Sequence, residues 1–308
     1  GTKLLSKVTS WGFIVGTVLP GVIVIILGIV WVLMKKPLGF EDLTAAETAV
    51  ATVVEGKVSP RWFPNLSNIN NLSYLSGIIL LFAGVEVQAV HASEMENPKK
   101  QYPLAIFISS VIVFALFTFG SLAIAAVVPN SQLQLESGLM QALSTMLDAV
   151  NMKWVLYILA FCVAFGSLGG VLSWISGPSK GLLSTAKDGI LPAILAETTD
   201  AGAPKNMMLI QGIIVTILAC LYFVMKDVSV AFFLLSALTV AVYIIMYLMM
   251  YMAAIVLRKK QPNMERPYKA PALKLLAGVG IIAALFALAL SFVPPAQLPI
   301  GNPVSYIS

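Results

Sequence analysis

An all-α, polytopic membrane protein is the fold class this sequence predicts, and three observations predict it. Of its 308 residues 59% are hydrophobic and 11% charged, with a mean hydropathy of +0.92. Soluble domains carry roughly a quarter charged residues, so a water-facing surface cannot be assembled from this composition. Seven stretches lack Asp, Glu, Lys, Arg and His for long enough to cross the membrane, since about 30 Å of hydrocarbon takes about 20 helical residues. No alternating barrel pattern competes, and an isolated strand cannot satisfy its backbone in lipid, so each stretch reads as a helix.

The spans are placed at residues 11–34, 72–94, 104–128, 154–178, 207–225, 229–257 and 275–293. With the start of the chain in the cytoplasm, thirteen Lys and Arg fall on inner connectors, among them Lys99, Lys100, Arg258, Lys259, Lys260, Arg266 and Lys269. Six fall outside: Lys35, Lys36, Lys57, Arg61, Lys153 and Lys226. The asymmetry predicts a cytoplasmic N-terminus and an outer C-terminus. The outer connector 35–71 carries Glu41, Asp42, Glu47 and Glu55 and should be solvated. Within it, Glu41 to Val54 reads either as a short surface helix with an acidic start or as a flexible loop. Because the sequence opens at Gly1 without an initiator Met or a signal-peptide pattern, upstream sequence is expected to be missing.

The net charge of +5 comes without a basic stripe interleaved with aromatics, so a nucleic-acid partner is not expected. Cys162 and Cys220 sit in apolar runs without metal-ligand spacing, and neither a disulfide framework nor a zinc site is expected. There is no HExxH and no acidic dyad within a span, which speaks against an intramembrane enzyme.

The second span holds the least ordinary residues. Glu86 interrupts an apolar run thirteen residues before Lys99, about 20 Å at helical rise. An acid at that depth costs about 2.5 to 3.5 kcal/mol unless paired or hydrated. It is therefore expected either to line a cavity as a protonatable or gating carboxylate, or to pack as a neutral hydrogen-bonded group. Gly84 costs about 1 kcal/mol in a helix interior, consistent with a break that frees backbone carbonyls or with a close helix contact. His91 and Glu94, three residues apart, share a helical face; they read as an interfacial pair reaching for water or as ligand contacts.

The fourth span is rich in small residues, Gly166, Ser167, Gly169, Gly170, Ser173 and Ser176, so a neighbouring backbone can approach closely. At its end Gly177 and Pro178 read as a kink, and Lys180 either attracts an anionic substrate or snorkels to headgroups. On the sixth span Tyr243, Tyr247 and Tyr251 recur at four-residue spacing and Tyr243 stands near mid-membrane. A buried phenol needs a hydrogen-bond partner, which a wet cavity or a polar substrate provides; Tyr251 reads as structural.

The run Gly84-Val85-Glu86, followed by His91-Ala92-Ser93-Glu94-Met95-Glu96-Asn97-Pro98-Lys99-Lys100-Gln101-Tyr102-Pro103, resembles the sixth helix and following loop of the amino acid/polyamine/organocation transporters, most strongly the glutamate/γ-aminobutyrate antiporter branch. Ser173-Trp174-Ile175-Ser176-Gly177-Pro178-Ser179-Lys180-Gly181, Lys187-Asp188-Gly189-Ile190-Leu191-Pro192 and Ala237-Leu238-Thr239-Val240-Ala241-Val242-Tyr243 add to it. The resemblance covers nearly the whole chain apart from much of the acidic outer loop. It implies a LeuT-type fold of five plus five helices in inverted repeat, of which residues 1–308 form a single incomplete domain. Helices five to eleven are present; the first four and the last are not, and the piece alone is expected to be inactive.

The resemblance further implies that carbonyls around Phe82, Ala83 and Gly84 receive a substrate amino group. It makes Glu86 a gating or pH-linked acid, with Lys180 and His91 on the gating path, and makes Tyr243 and Tyr247 cavity residues. Lys180 stands where enteric members of the branch carry arginine, and an ammonium cannot reproduce a guanidinium fork, so substrate preference is open. Leu80 is aliphatic where some arginine/agmatine relatives place a tryptophan. The expected activity is secondary exchange of glutamate or a similar amino acid for γ-aminobutyrate, by alternating access in a bacterial inner membrane. A proton-coupled amino acid or polyamine permease and, from another class, an ion channel are the alternatives. The expected partners are a small amino acid and the bilayer, with protons and a homodimer admitted; no cofactor or metal is expected.

Overall fold

The computed structural model describes residues 2–40, 51–54, 57–60, 72, 77–78, 81–87, 89–90, 95–134, 137–200, 202–225, 228–266 and 268–293. Among them six helices are long and apolar enough to cross a membrane: Ser6–Leu33, Pro98–Val127, Val155–Lys187, Lys205–Val224, Val230–Lys260 and Leu273–Ser291. Six of the seven expected spans are thus continuous. The second, 72–94, is not: its described residues are helical at Leu72, Gly77, Ile78 and Leu81 and then turn. Large apolar side chains face outward, Phe107 at 67%, Phe161 at 74% and Ile282 at 71% exposure, which is tolerable only where the surrounding medium is lipid.

Helix α1 (Thr2–Phe13) runs through one widened π turn, Ile14–Val18, into α2 (Leu19–Leu33). The cause is local. Pro20 has no N–H to offer and its ring would strike the carbonyl four residues back; the chain answers with a longer bond, Leu19 N–H to the Ile14 carbonyl. The outer connector contains an antiparallel hairpin, β1 (Ala51–Val54) with β2 (Lys57–Pro60), in which Val54 pairs with Lys57. This corrects the helix or loop expected as far as Val54; the part at 41–50 lies outside the described residues. Thr52, Val53, Val54 and Val58 are β-branched and favour strand, and that preference outweighs the acidic start.

Helix α3 (Pro98–Val127) begins earlier than expected because Pro98 fills its first turn while Gln101 Oε1 accepts the Asn97 N–H at 3.1 Å. A short helix α4 (Gly138–Ala149) caps the bundle, and α5 (Val155–Lys187) continues through Pro178, so the expected end at 178 is corrected to Lys187. Helices α6 (Lys205–Ala219) and α7 (Leu221–Val224) follow, then α8 (Val228–Lys260) and α9 (Leu273–Ser291).

Backbone proximity organises the packing. Gly12 and Gly16 of the first span lie against Gly169 and Gly166 of α5, where a Cβ built on Gly166 would stand 2.6 Å from the Gly16 Cα. The small-residue face of α5 does receive a neighbouring backbone, as its composition predicts. α2 lies on α3 with Val24, Ala123, Leu143, Met146 and Leu159 buried between them, α4 and the start of α5. α8 and α9 pair through Val240, Ile244, Ala284 and Ala287, and the Tyr251 ring fills the space over Gly280, the structural place expected of it.

Candidate functional site

The broken second span passes between α5 and α8, and the break sits at Gly84. The chain turns from Phe82 to Glu86 with Gly84 at φ +98°, then makes a tight helical turn in which Val87 N–H bonds the Gly84 carbonyl at 3.1 Å and Ala89 N–H the Glu86 carbonyl at 2.8 Å. A side chain at that φ is strained. It would also be crowded: a Cβ on Gly84 would lie 3.0 Å from the Trp174 ring, which would have to give by a few tenths of an ångström. Past the turn, Val87 and Val90 nest over Gly177 and Gly181 of α5, where added Cβ atoms would lie 2.6 and 3.1 Å away. Gly177 and Gly181, on either side of Pro178, therefore make a seat for Val87 and Val90.

Glu86 is half-buried at the end of the turn. Tyr243 Oη donates to its Oε1 at 3.1 Å and Tyr247 Oη to its Oε2 at 3.1 Å. Both phenols come from α8, about 160 residues further on, and the four-residue spacing sets one above the other on the face toward the acid. Two hydrogen bonds, one to each oxygen, fix the orientation of the carboxyl group. A third phenol, on Tyr102 in the first turns of α3, donates to the Glu86 backbone carbonyl at 3.2 Å.

Trp174 closes the group, packing edge-on against Tyr243 at 5.8 Å between ring centroids. Tyr243 in turn meets Tyr247 at 5.3 Å. Three elements thus converge on one acid and surround it with aromatic rings.

The structure brings together Phe82, Ala83, Gly84, Glu86, Tyr243 and Tyr247. Phe82 is 37% exposed at the turn and Ala83 half-buried beside it. Lys180 is half-buried on α5, between Ser179, which donates to Gln211 Oε1 at 2.9 Å, and Gly181 beneath Val90. His91 and Glu94 lie outside the described residues.

Tyr102 and Trp174 were not singled out by the sequence, although both lie within the runs that carry the resemblance. A lone aromatic, three residues from Gly177, in the small-residue stretch Gly166 to Gly181 was the available signal for Trp174. Among the described residues no three of His, Cys, Asp or Glu cluster as metal ligands would. The apolar groove of about 400 Å³ along Met208, Leu209, Gly212, Ile213, Thr216 and Ile217 lies along α6 alone and shares no residue with this group.

Comparison with known proteins gives a consistent picture. The amino acid permease family model matches residues 1–307. An uncharacterized transporter of Legionella pneumophila is 36% identical over 306 residues, which cover 98% of this chain and 62% of the relative. A glutamate/gamma-aminobutyrate antiporter of Lactococcus lactis subsp. lactis is 33% identical over 306 residues, 97% of this chain and 58% of the relative. A probable agmatine/putrescine antiporter of the same organism is 28% identical over 205 residues, 66% of this chain and 43% of the relative. The chain spans roughly three-fifths of the length of the first two relatives.

Proposed function

Because this chain belongs to the amino acid permease family, we propose that it works as part of a secondary amino acid transporter that exchanges glutamate or a similar amino acid for γ-aminobutyrate by alternating access. The observation that carries the proposal is the backbone break at Gly84 with the Glu86 carboxylate held between Tyr243 and Tyr247. An acid at this depth is tolerated where it is hydrogen-bonded and shielded from acyl chains, and irregular backbone where it is buried or lines a cavity. Discontinuous helices of that kind form substrate sites in inverted-repeat transporters. No bond is made or broken; the cycle needs only that the loaded and empty carrier prefer different gates.

In this reading the turn Phe82 to Gly84 offers peptide groups to the substrate amino group, and Tyr243 and Tyr247 wall the cavity. Glu86 is the latch. While it is ionised, both phenols are drawn to it; protonation weakens both bonds and loosens the broken helix from α8, giving protons a route into the cycle. Lys180, and His91 beyond the turn, are assigned to the inner path. The thirteen-to-six distribution of basic residues supports a cytoplasmic start for this chain.

The test is uptake of labelled glutamate by the full-length protein in proteoliposomes, with and without internal γ-aminobutyrate. Exchange requires a loaded interior; equal uptake into empty vesicles favours the proton-coupled permease, and a non-saturating conductance the channel. In Glu86→Gln the exchange rate should fall at least about tenfold, the equivalent of one charge-assisted bond, and its pH dependence should flatten. A pH profile unchanged in that variant removes Glu86 as the latch.

A further inference from the structure

The stretch from the last turn of α8 through the connector to the first turn of α9 carries charge out of proportion to its length. Residues 258–274 hold six of the nineteen Lys and Arg and one of the fourteen acids, a net +5 equal to that of the whole chain. The single acid, Glu265, already faces the Lys99 ammonium at 3.6 Å, which also sets the connector beside the first turn of α3.

Two arginines are fixed in this stretch by backbone carbonyls. Arg258 donates to Ala270 O at 3.1 Å, and Arg266 to Met264 O and Leu257 O at 3.1 Å and to Gln261 O at 2.8 Å. Carbonyl dipoles orient a guanidinium without neutralising it. Between them Arg258, Pro262, Arg266 and Lys269 line an open groove of about 270 Å³, with Lys259, Lys260 and Lys269 exposed around it.

The depth of the groove follows from its neighbours: α8 ends at Lys260 and α9 starts at Leu273, so it lies where two spans leave the hydrocarbon. Tyr268 and Met264, 62% and 59% exposed, add amphipathic surface at that level, and Leu257, Leu275 and Leu276, each at least half exposed, continue it along the two helices.

We propose that the groove of Arg258, Arg266 and Lys269 binds the phosphodiester headgroup of an anionic phospholipid, whose acyl chains lie along the exposed leucines of α8 and α9. Guanidinium groups held in place match phosphate oxygens better than mobile ammonium groups do, and basic pockets between membrane helices at the headgroup level take anionic lipids. Inorganic phosphate shares the headgroup chemistry and lacks the chains, so the two are separable.

The test uses the full chain in non-ionic detergent, its thermal unfolding midpoint followed by tryptophan fluorescence. Dihexanoylphosphatidylglycerol, dihexanoylphosphatidylcholine and inorganic phosphate are titrated in parallel. Phosphatidylglycerol should raise the midpoint saturably; phosphatidylcholine, and phosphate at the same concentrations, should not. In Lys259→Gln/Lys269→Gln the half-saturating phosphatidylglycerol concentration should rise about tenfold or more, while Lys35→Gln/Lys36→Gln, at the other end of the bundle, leaves it unchanged. Arg258 and Arg266 are kept because their carbonyl bonds close the end of α8. Should the first variant fail to fold, Lys269→Gln alone should give a rise of about threefold. An equal response to phosphatidylcholine or to phosphate overturns the proposal, as does an unaltered half-saturation or an equal loss in the Lys35/Lys36 variant.

Discussion

The crossing of the first span over α5 and the turn at Gly84 both need glycine, for opposite reasons. At Gly12, Gly166 and Gly169 the backbones are ordinary helix, at Gly16 the widened π turn, and the requirement is proximity: the partner's main chain stands where a side chain would be. At Gly84 the requirement is conformational, a φ of +98°, and the neighbour is the edge of the Trp174 ring. The first arrangement is apolar and built to stay closed. The second sets two phenols on a carboxylate and a third on the same residue's backbone carbonyl, and is built around an interaction that can be weakened. Small residues in a membrane helix therefore do not by themselves mark a functional break; the nearby acid distinguishes the two.

Substitutions that exchange the two requirements should separate them. The largest effect is expected for Gly16→Leu, which drives a side chain into the Gly166 backbone: overpacking of this kind costs about 3 kcal/mol or more, and the yield of monodisperse protein should collapse. Gly84→Ala should leave the protein folded, with about 2 kcal/mol lost to the unfavourable φ and the exchange rate reduced at least tenfold, on the order of the same energy. Folding intact with exchange unchanged would remove the turn from the mechanism.

Tyr243→Phe and Tyr247→Phe should each cost about 1.5 kcal/mol, as for a hydrogen bond to a charged group, measured as a fall in the unfolding midpoint. Combined with Glu86→Gln the losses should be clearly less than additive, because the partners share one network. Additivity would mean that the phenols act elsewhere.

The smallest effect belongs to Lys153, whose pKa is raised by its hydrogen bond to Asp148 at 2.9 Å and then by that carboxylate's charge. A raised lysine pKa stabilises the folded state below its unfolded value, near 10.4, and the gain fades as pH rises through the folded value. On an exposed pair such as this, Lys153→Gln should leave the unfolding midpoint unchanged at pH 7. A measurable loss would place the turn between α4 and α5 in the stability of the bundle.

Much of this was legible in the sequence, because lipid imposes strict rules on length and charge. The spans follow from stretches without ionisable residues, and Gly84 inside an apolar run allowed either a break or a close helix contact, of which the structure shows the turn and a close approach of Trp174 together. The four-residue tyrosine spacing on α8 announced a shared face, yet not that Glu86 would be its partner. That pairing joins elements about 160 residues apart, and no local pattern encodes it. Trp174 and Tyr102 escaped notice for the same reason. The hairpin at 51–60 was missed because an acidic start was weighed above a run of β-branched residues too short to show alternation. Pro178 looked like an end because it removes a helical hydrogen bond; α5 continues past it as the seat for Val87 and Val90.

The claim on which the rest depends, that the turn at Gly84 faces a substrate-accessible aqueous cavity, is tested most directly by labelling Ala83→Cys. The full-length protein would carry Cys162→Ser and Cys220→Ser and meet a charged, water-soluble thiol reagent in proteoliposomes. Rapid labelling, slowed about fivefold or more by glutamate or γ-aminobutyrate at concentrations that saturate exchange, is the expected result. A thiol that reacts only with a membrane-soluble reagent, at a rate indifferent to either amino acid, would contradict it.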